Sequence, residues 1–166
     1  MSEPTRKVLR DLERFLCEIT VAALGTVDER GLPYVVNLYV APDDQLRFYF
    51  VSDPESAHAQ HIAREPAVSL AGYAPIRMWQ QVRGIQIRGR CKKVPAAQRD
   101  AVWAIYHARF PHIDEVAEYL RSMDFYCVTP ETIRWIDNSV HFGFEVDLNW
   151  PLSESLAISH ERHGLV

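Results

Sequence analysis

Cysteine is scarce in this chain. Its 166 residues hold three, Cys17, Cys91 and Cys127, odd in number and far apart. That excludes a disulfide framework, and no Cys/His spacing typical of a bound metal is present, so no metal site is expected. Long apolar runs are missing as well; nothing approaches the roughly 20 residues of a membrane span. The first stretch, "MSEPTRKVLRDLERF", is charged and amphipathic with no apolar signal core, so the expected compartment is the cytoplasm. There is no excess of positive charge either. Eighteen Lys and Arg against 22 Asp and Glu give a net charge of -4, which argues against a nucleic-acid partner. Repeats, linkers and low-complexity blocks are absent. What remains is 48% apolar and 24% charged, the composition of an ordinary globular chain with one well-buried core.

The apolar pattern then divides the chain. Val8, Leu9, Leu12, Phe15, Leu16 and Ile19 fall at helical spacing, predicting a helix from Pro4 to Cys17. "ITVAALGTV" and "LPYVVNLYVA" are β-prone runs joined by "DERG", a hairpin with Gly31 free to take positive φ. "PDDQ" turns the chain again into "LRFYFVS", completing a three-stranded meander. "PESAHAQHIAREP" reads as a helix that stops before Pro66, and "AVSLAGYA" as a strand. The loop "PIRMWQQ" leads to "VRGIQIRGRCKKV", which alternates: Ile85, Ile87 and Cys91 on one side, Gln86, Arg88, Arg90 and Lys92 on the other. Pro95 opens a helix ending at Phe110, and a shorter helix covers Ile113 to Arg121. Two strands, "FYCVT" and "TIRWID", precede an irregular tail from Asn138. The expected fold is α+β, mainly antiparallel: six or seven strands with helices at the corners. "FYFV" and "ITVAAL" are apolar on both sides and need cover on both faces. A small barrel that dimerises supplies it.

One stretch poses a chemical question. In "FYFVSDPESAHAQHI" a buried strand runs directly into a helix start carrying Ser56, His58 and His61. Helix N-termini bind phosphates through free N–H groups, and Ser56 and His58 add donors. The competing reading is a plain helix cap, since Asp53-Pro54-Glu55 is an ordinary capping sequence whose carboxylates repel an anion. Asn37 is out of place mid-strand: a buried amide there either satisfies neighbouring backbone or faces a polar ligand. Arg83, Arg88, Arg90, Lys92 and Lys93 form a basic stripe that reads as a solvated strand face. Arg83 falls on the Ile85 side of that strand, and Gly84 lets another group approach the backbone. His160 and His163 have i, i+3 spacing, but no third metal ligand accompanies them.

The order of these pieces resembles the FMN-binding split-barrel superfamily, the pyridoxamine 5′-phosphate oxidase-like proteins. The likeness rests on "GLPYVVNLYV", "LRFYFVSD", a Ser-x-[Lys/His]-Ala helix start and "EPAVSL". "SAHAQ" (56–60), "VRGIQIRGRCKKV" (82–94), "YHARFP" (106–111) and "IRWIDNSVHFGF" (133–144) narrow it to the YhbP-like branch. The resemblance covers residues 8 to 145. It implies an FMN-binding split-barrel domain over 1–145, a C-terminal tail over 146–166, and a homodimer with flavin at the subunit interface. It implies that Val36, Asn37 and Leu38, with Val51 and Ser52, line the flavin, and that Ser56 and His58 bind its phosphate.

The departures from the family pattern are specific. His58 replaces the usual phosphate-binding lysine, making that charge pH-dependent. Val36 stands where the oxidases carry an arginine, and Gly84 where they carry a flavin-contacting glutamine. The C-terminal substrate motif of the true oxidases has no counterpart, so pyridoxamine phosphate oxidation is not carried over. The expectation is an FMN-dependent oxidoreductase-like protein working with a small-molecule electron donor or acceptor, with no residue singled out as catalytic. The alternatives are a non-catalytic flavin- or haem-binding protein, with His58, His61, His107 or His141 as haem ligands, and a deazaflavin-dependent reductase on the same fold. "PIRMWQQ" and "NSVHFGFEVDLNW" are expected to shape the pocket mouth.

Overall fold

The computed structural model describes residues 3–152. Helix α1 (Glu3–Glu18) carries Leu9, Leu12, Phe15 and Leu16 on one buried face, as the spacing predicts. Strands β1 (Val21–Val27) and β2 (Pro33–Tyr39) form the expected hairpin, with Gly31 at φ 79° in its turn. Strand β3 (Ala41–Pro42) follows β2 and pairs with β4 (Phe48–Ser52), but β4 pairs along its length with residues 124–128 and not with β2, so the expected three-stranded meander is not formed. Between them the buried Asp43 carboxylate accepts the Gln45 and Arg47 amides at 3.0 and 2.9 Å and pins the turn. The rest of the chain runs α2 (Ala57–Arg64), β5 (Ala67–Tyr73), β6 (Arg83–Lys93), α3 (Arg99–Arg109), α4 (Ala117–Ser122), β7 (Asp124–Asp137) and β8 (Glu145–Leu148).

These strands make one antiparallel sheet in the order β2-β1-β5-β6-β7-β4-β3, with β8 added on β7. The sheet curls around α1, whose Leu12, Phe15 and Leu16 pack in a single core with Leu24, Phe50, Leu70, Ile85 and Trp135. Phe15 meets Trp135 edge-on at 5.1 Å. Each such side chain taken out of water contributes roughly 1.5–3 kcal/mol. β4 is buried on both faces, as "FYFV" requires. Phe48 and Phe50 point into this core, while Tyr49 joins a second cluster with Val102, Tyr106 and Phe110 of α3. α3 thus covers the outside of the β4 end of the sheet. Arg109, at the end of α3, is 5% exposed. Its guanidinium donates to the Leu16 and Cys17 carbonyls at 2.7 and 2.9 Å, and also to that of Ile19. Those of Leu16 and Cys17 are last-turn acceptors that α1 leaves unpaired, that of Ile19 follows the helix end, and α1 has no basic residue of its own in that turn.

The structure corrects several expectations. "FYCVT" and "TIRWID" are one 14-residue strand, β7. Its register with β6 shifts between Arg88 and Gly89, where a Cβ on residue 89 would collide with the Thr129 carbonyl. The segment after Asn138 is not irregular throughout: residues 145–148 form β8, an eighth strand, which pairs with the end of β7. The helix expected from Pro95 starts as a 3-10 turn, Ala96–Gln98, before α3. The one expected over Ile113–Arg121 divides into a 3-10 turn, Pro111–Val116, and α4. β1 is fully buried only on alternate residues, Ala22, Leu24 and Thr26; the middle of its other face is formed by Ala23 and Gly25. His160 and His163 lie outside the described residues.

Candidate functional site

The corner between β4 and α2 carries the polar groups that the sequence singles out. β4 ends at Ser52, and the Asp53 carboxylate accepts the Glu55 amide at 2.8 Å, turning the chain. α2 then begins with Ser56 as its N-cap, the hydroxyl accepting from the Ala59 amide at 3.4 Å. The cap is therefore Ser56, not Asp53. Ser52 Oγ lies 2.7 Å from His58 Nε2 and 2.9 Å from Ser56 Oγ, and Ser56 Oγ is 3.3 Å from the same nitrogen. His58 is 8% exposed. Burial, and next the charge of His61, hold its pKa below the ordinary histidine value. The amides of Ala57 and His58, the first two helical positions, have no intrahelical acceptor.

The other predicted residues flank this corner. Val51 is half-buried beside Ser52. β2 is the terminal strand of the sheet and also touches β4, so Val36, Asn37 and Leu38 lie on the strand neighbouring Val51 and Ser52. Val36 and Leu38 pack on the core, but Asn37 is exposed. The expected buried amide is absent because alternation along β2 turns residue 37 outward. Arg83 does not face an open site: it pairs with Glu18 at 3.1 Å. A Cβ at Gly84 would stand 3.1 Å from the Gly72 carbonyl, so the close approach there is by the neighbouring strand.

The four histidines considered as haem ligands sit on different parts of the fold. His61 Nδ1 is 3.0 Å from Thr26 Oγ1, and its ring meets Tyr34 edge-on at 5.3 Å. His107 Nε2 is 2.6 Å from an Asp114 carboxylate oxygen, and His141 Nδ1 is 3.1 Å from the Phe142 carbonyl. Among the described residues, no three His, Cys, Asp or Glu side chains converge as metal ligands, and no helix is long and apolar enough to cross a membrane.

Two concavities lie away from the Ser52–His58 corner. One, about 670 Å³, runs over the outer sheet face, floored by Ala23, Gly25, Ser69 and Ala71 and walled by Arg134 and Asp147. The other, about 460 Å³, lies at the far end of β6, beside Arg90 and Lys92. Their sequence signals were the run of small and basic residues on outward strand positions and the segment "NSVHFGFEVDLNW", whose Asp147 and Trp150 help to line them; "PIRMWQQ" lines neither. A strand pattern shows which way a side chain points, not whether the surface there is concave.

Comparison with known proteins agrees with this architecture. The pyridoxamine 5′-phosphate oxidase family model matches residues 9–137. The protein YhbP of Escherichia fergusonii is 25% identical over 137 residues, spanning 82% of this chain and 90% of its own length. A pyridoxine/pyridoxamine 5′-phosphate oxidase of Bdellovibrio bacteriovorus is 34% identical over 87 residues; that match covers 52% of this chain but only 42% of the enzyme. In structure, the haem storage protein HutZ of Vibrio cholerae superposes with a TM-score of 0.64 at 18% identity, over 74% of this chain and 89% of that one. This last likeness is one of fold. On the extent of the family match and the shared curled antiparallel sheet, the chain belongs to the pyridoxamine 5′-phosphate oxidase family.

Proposed function

We propose that this protein is an FMN-binding, oxidoreductase-like member of its family, with the flavin phosphate at the Ser52–Ser56–His58 corner and the ring system along Val36–Leu38 of β2. The observation that carries the reading is the convergence of two hydroxyls and an imidazole on the N-terminus of α2. A phosphate fits there by accepting from the Ser56 hydroxyl, the unpaired first-turn amides and a His58 ring N–H. No second cation is added at position 36, and burial lowers the pKa of His58, so the free corner offers phosphate hydrogen-bond donors more than charge. When bound, the flavin supplies the electron chemistry, and the chain's residues hold and orient it.

The reading includes a homodimer closing over the flavin. Tyr34, Val35 and Tyr39 are exposed on terminal strand β2, and the small-residue floor of the 670 Å³ groove is an outer sheet face without cover. Titration of the purified chain with FMN, followed by visible absorption and light scattering, tests both parts. The expected result is a saturable flavin spectrum retained through gel filtration on a dimer. His58→Ala is expected to weaken binding about 10- to 100-fold, the loss of one charge-assisted hydrogen bond. Unchanged affinity in that variant would remove His58 from the site, and a monomer would remove the interface.

A second reading is haem binding, favoured by structural likeness to the haem storage protein HutZ, with candidate ligands in His58 and His61 of α2, His107 of α3 and His141. A Soret band on adding haemin, lost in one of the variants at 58, 61, 107 or 141, would select it. A deazaflavin in the same titration separates the third possibility.

A further inference from the structure

The basic stripe of β6 is not uniformly washed by water. At its far end Arg90 and Lys92 join Arg47, the residue before β4, and Lys93 around the 460 Å³ cavity. Two of the four are already paired: Arg47 Nε with Asp43 at 2.6 Å and Lys93 with Asp124 at 2.6 Å. Arg90 and Lys92 have no ion pair, hydrogen bond or ring contact among the described residues. On the same sheet Arg83 pairs with Glu18 and Arg134 with Asp147, while Arg88, like Arg90 and Lys92, has no acid partner among the described residues. In a chain with 22 acidic side chains to 18 Lys and Arg, two unmatched cations beside one concavity are unexpected. A single carboxylate, that of Glu131, also lines it.

The remaining walls have a different character. Pro95, Pro130 and the Trp150 indole are apolar, and Trp150 is fixed by donating Nε1–H to the Gln45 carbonyl at 2.7 Å. Thr129 offers a hydroxyl. The volume falls within the roughly 300–1,000 Å³ of small-molecule sites. Guanidinium and ammonium groups recognise phosphates and carboxylates, the first as a two-pronged donor, and an indole takes a flat ring.

We propose that the cavity between β4, the end of β6 and Trp150 binds a small organic anion, a phosphate or carboxylate on a flat apolar body, at a site separate from the β4–α2 corner. Calorimetric titration of the full chain tests this with phenyl phosphate and benzoate, and with inorganic phosphate and phenol as the two halves alone. Saturable binding of phenyl phosphate or benzoate, tighter than either half by about 10-fold, is expected, and the tighter of the two identifies the head group. The double variant Arg90→Gln/Lys92→Gln is expected to lose about 10-fold or more of that affinity while FMN titrates as before; both side chains are exposed, so folding is not at risk. His58→Ala is expected to do the reverse. Equal affinity in wild type and double variant, or no saturation by either probe, would overturn the proposal. FMN binding lost in the double variant and kept in His58→Ala would overturn the separateness of the two sites.

Discussion

Among the described residues, Arg109 and His58 are the two basic side chains that the fold withdraws almost wholly from water, at 5% and 8% exposure, and they are used in opposite ways. Arg109 keeps its charge and spends it on three backbone carbonyls at the end of α1. Those acceptors lie at or just past the end of the helix that plugs the barrel, and nothing else in that last turn is basic. His58 has its charged form disfavoured by burial and is bonded to the hydroxyls of Ser52 and Ser56. A hydroxyl can turn to a new partner at little cost; a helix-terminal carbonyl cannot. Burial alone therefore does not mark a site. The exchangeability of the partners separates the structural cation from the candidate ligand-binding one.

The largest effect expected from breaking this contrast is at Arg109. Arg109→Ala strands buried carbonyls on α1 and opens space between α1 and α3. The expected cost is about 3 kcal/mol or more in urea unfolding, with any FMN affinity of the folded fraction unchanged. Arg109→Lys restores one charge but not the planar fork, so partial recovery is expected. A loss below about 1 kcal/mol in the alanine variant would mean that water replaces the guanidinium, and that Arg109 is no more committed to the fold than His58.

A smaller effect separates the two duties of Ser56, which caps α2 and also touches His58. Ser56→Ala removes both and is expected to cost about 1 kcal/mol of stability along with flavin affinity. Ser56→Asp replaces the cap acceptor with a carboxylate, favourable at a helix N-terminus and repulsive to a phosphate. Stability is expected to recover while FMN binding does not. If the aspartate variant binds FMN as well as wild type, the corner is a cap and nothing more.

Much of this architecture is legible in residue order, for identifiable reasons. Alternation on β6 places Ile85, Ile87 and Cys91 inward and the basic residues outward, because a strand's period of two leaves no other choice. The double-sided burial of "FYFV" follows from its lack of any polar face, although its outer cover, α3, is a tertiary fact. The Ser52–Ser56–His58 grouping is nearly local, spanning seven residues, and so is visible as a motif. Asn37 misled because mid-strand position says nothing about which face is wet. The continuity of β7 through Pro130 and its pairing with β8 depend on a bulge opposite Gly89 and on a partner strand that a local pattern does not reveal. Arg109 and the Arg90/Lys92 cavity were missed for the same reason. Their meaning lies in what stands across from them, a helix end in one case and Trp150 in the other.

The smallest effect is the dependence on pH, and its sign is distinctive. The folded-state pKa of His58 lies below the ordinary 6.5 because burial, and then His61, disfavour its charge. Between that depressed value and 6.5 the unfolded chain takes up a proton that the folded chain refuses. This contribution is thus complete above 6.5 and is lost as pH falls toward the folded-state pKa. Phosphate binding runs the other way, since a bound anion favours the imidazolium: over about pH 8 to 6 FMN affinity should rise, while stability falls only once pH drops below 6.5. Urea unfolding and FMN titration across that range should diverge in wild type, and His58→Gln should flatten His58's part of both trends. Arg109→Lys, whose cation does not titrate there, should leave them intact. Parallel trends, or a glutamine variant with the wild-type slopes, would place the titrating group elsewhere and return His58 to the same structural category as Arg109.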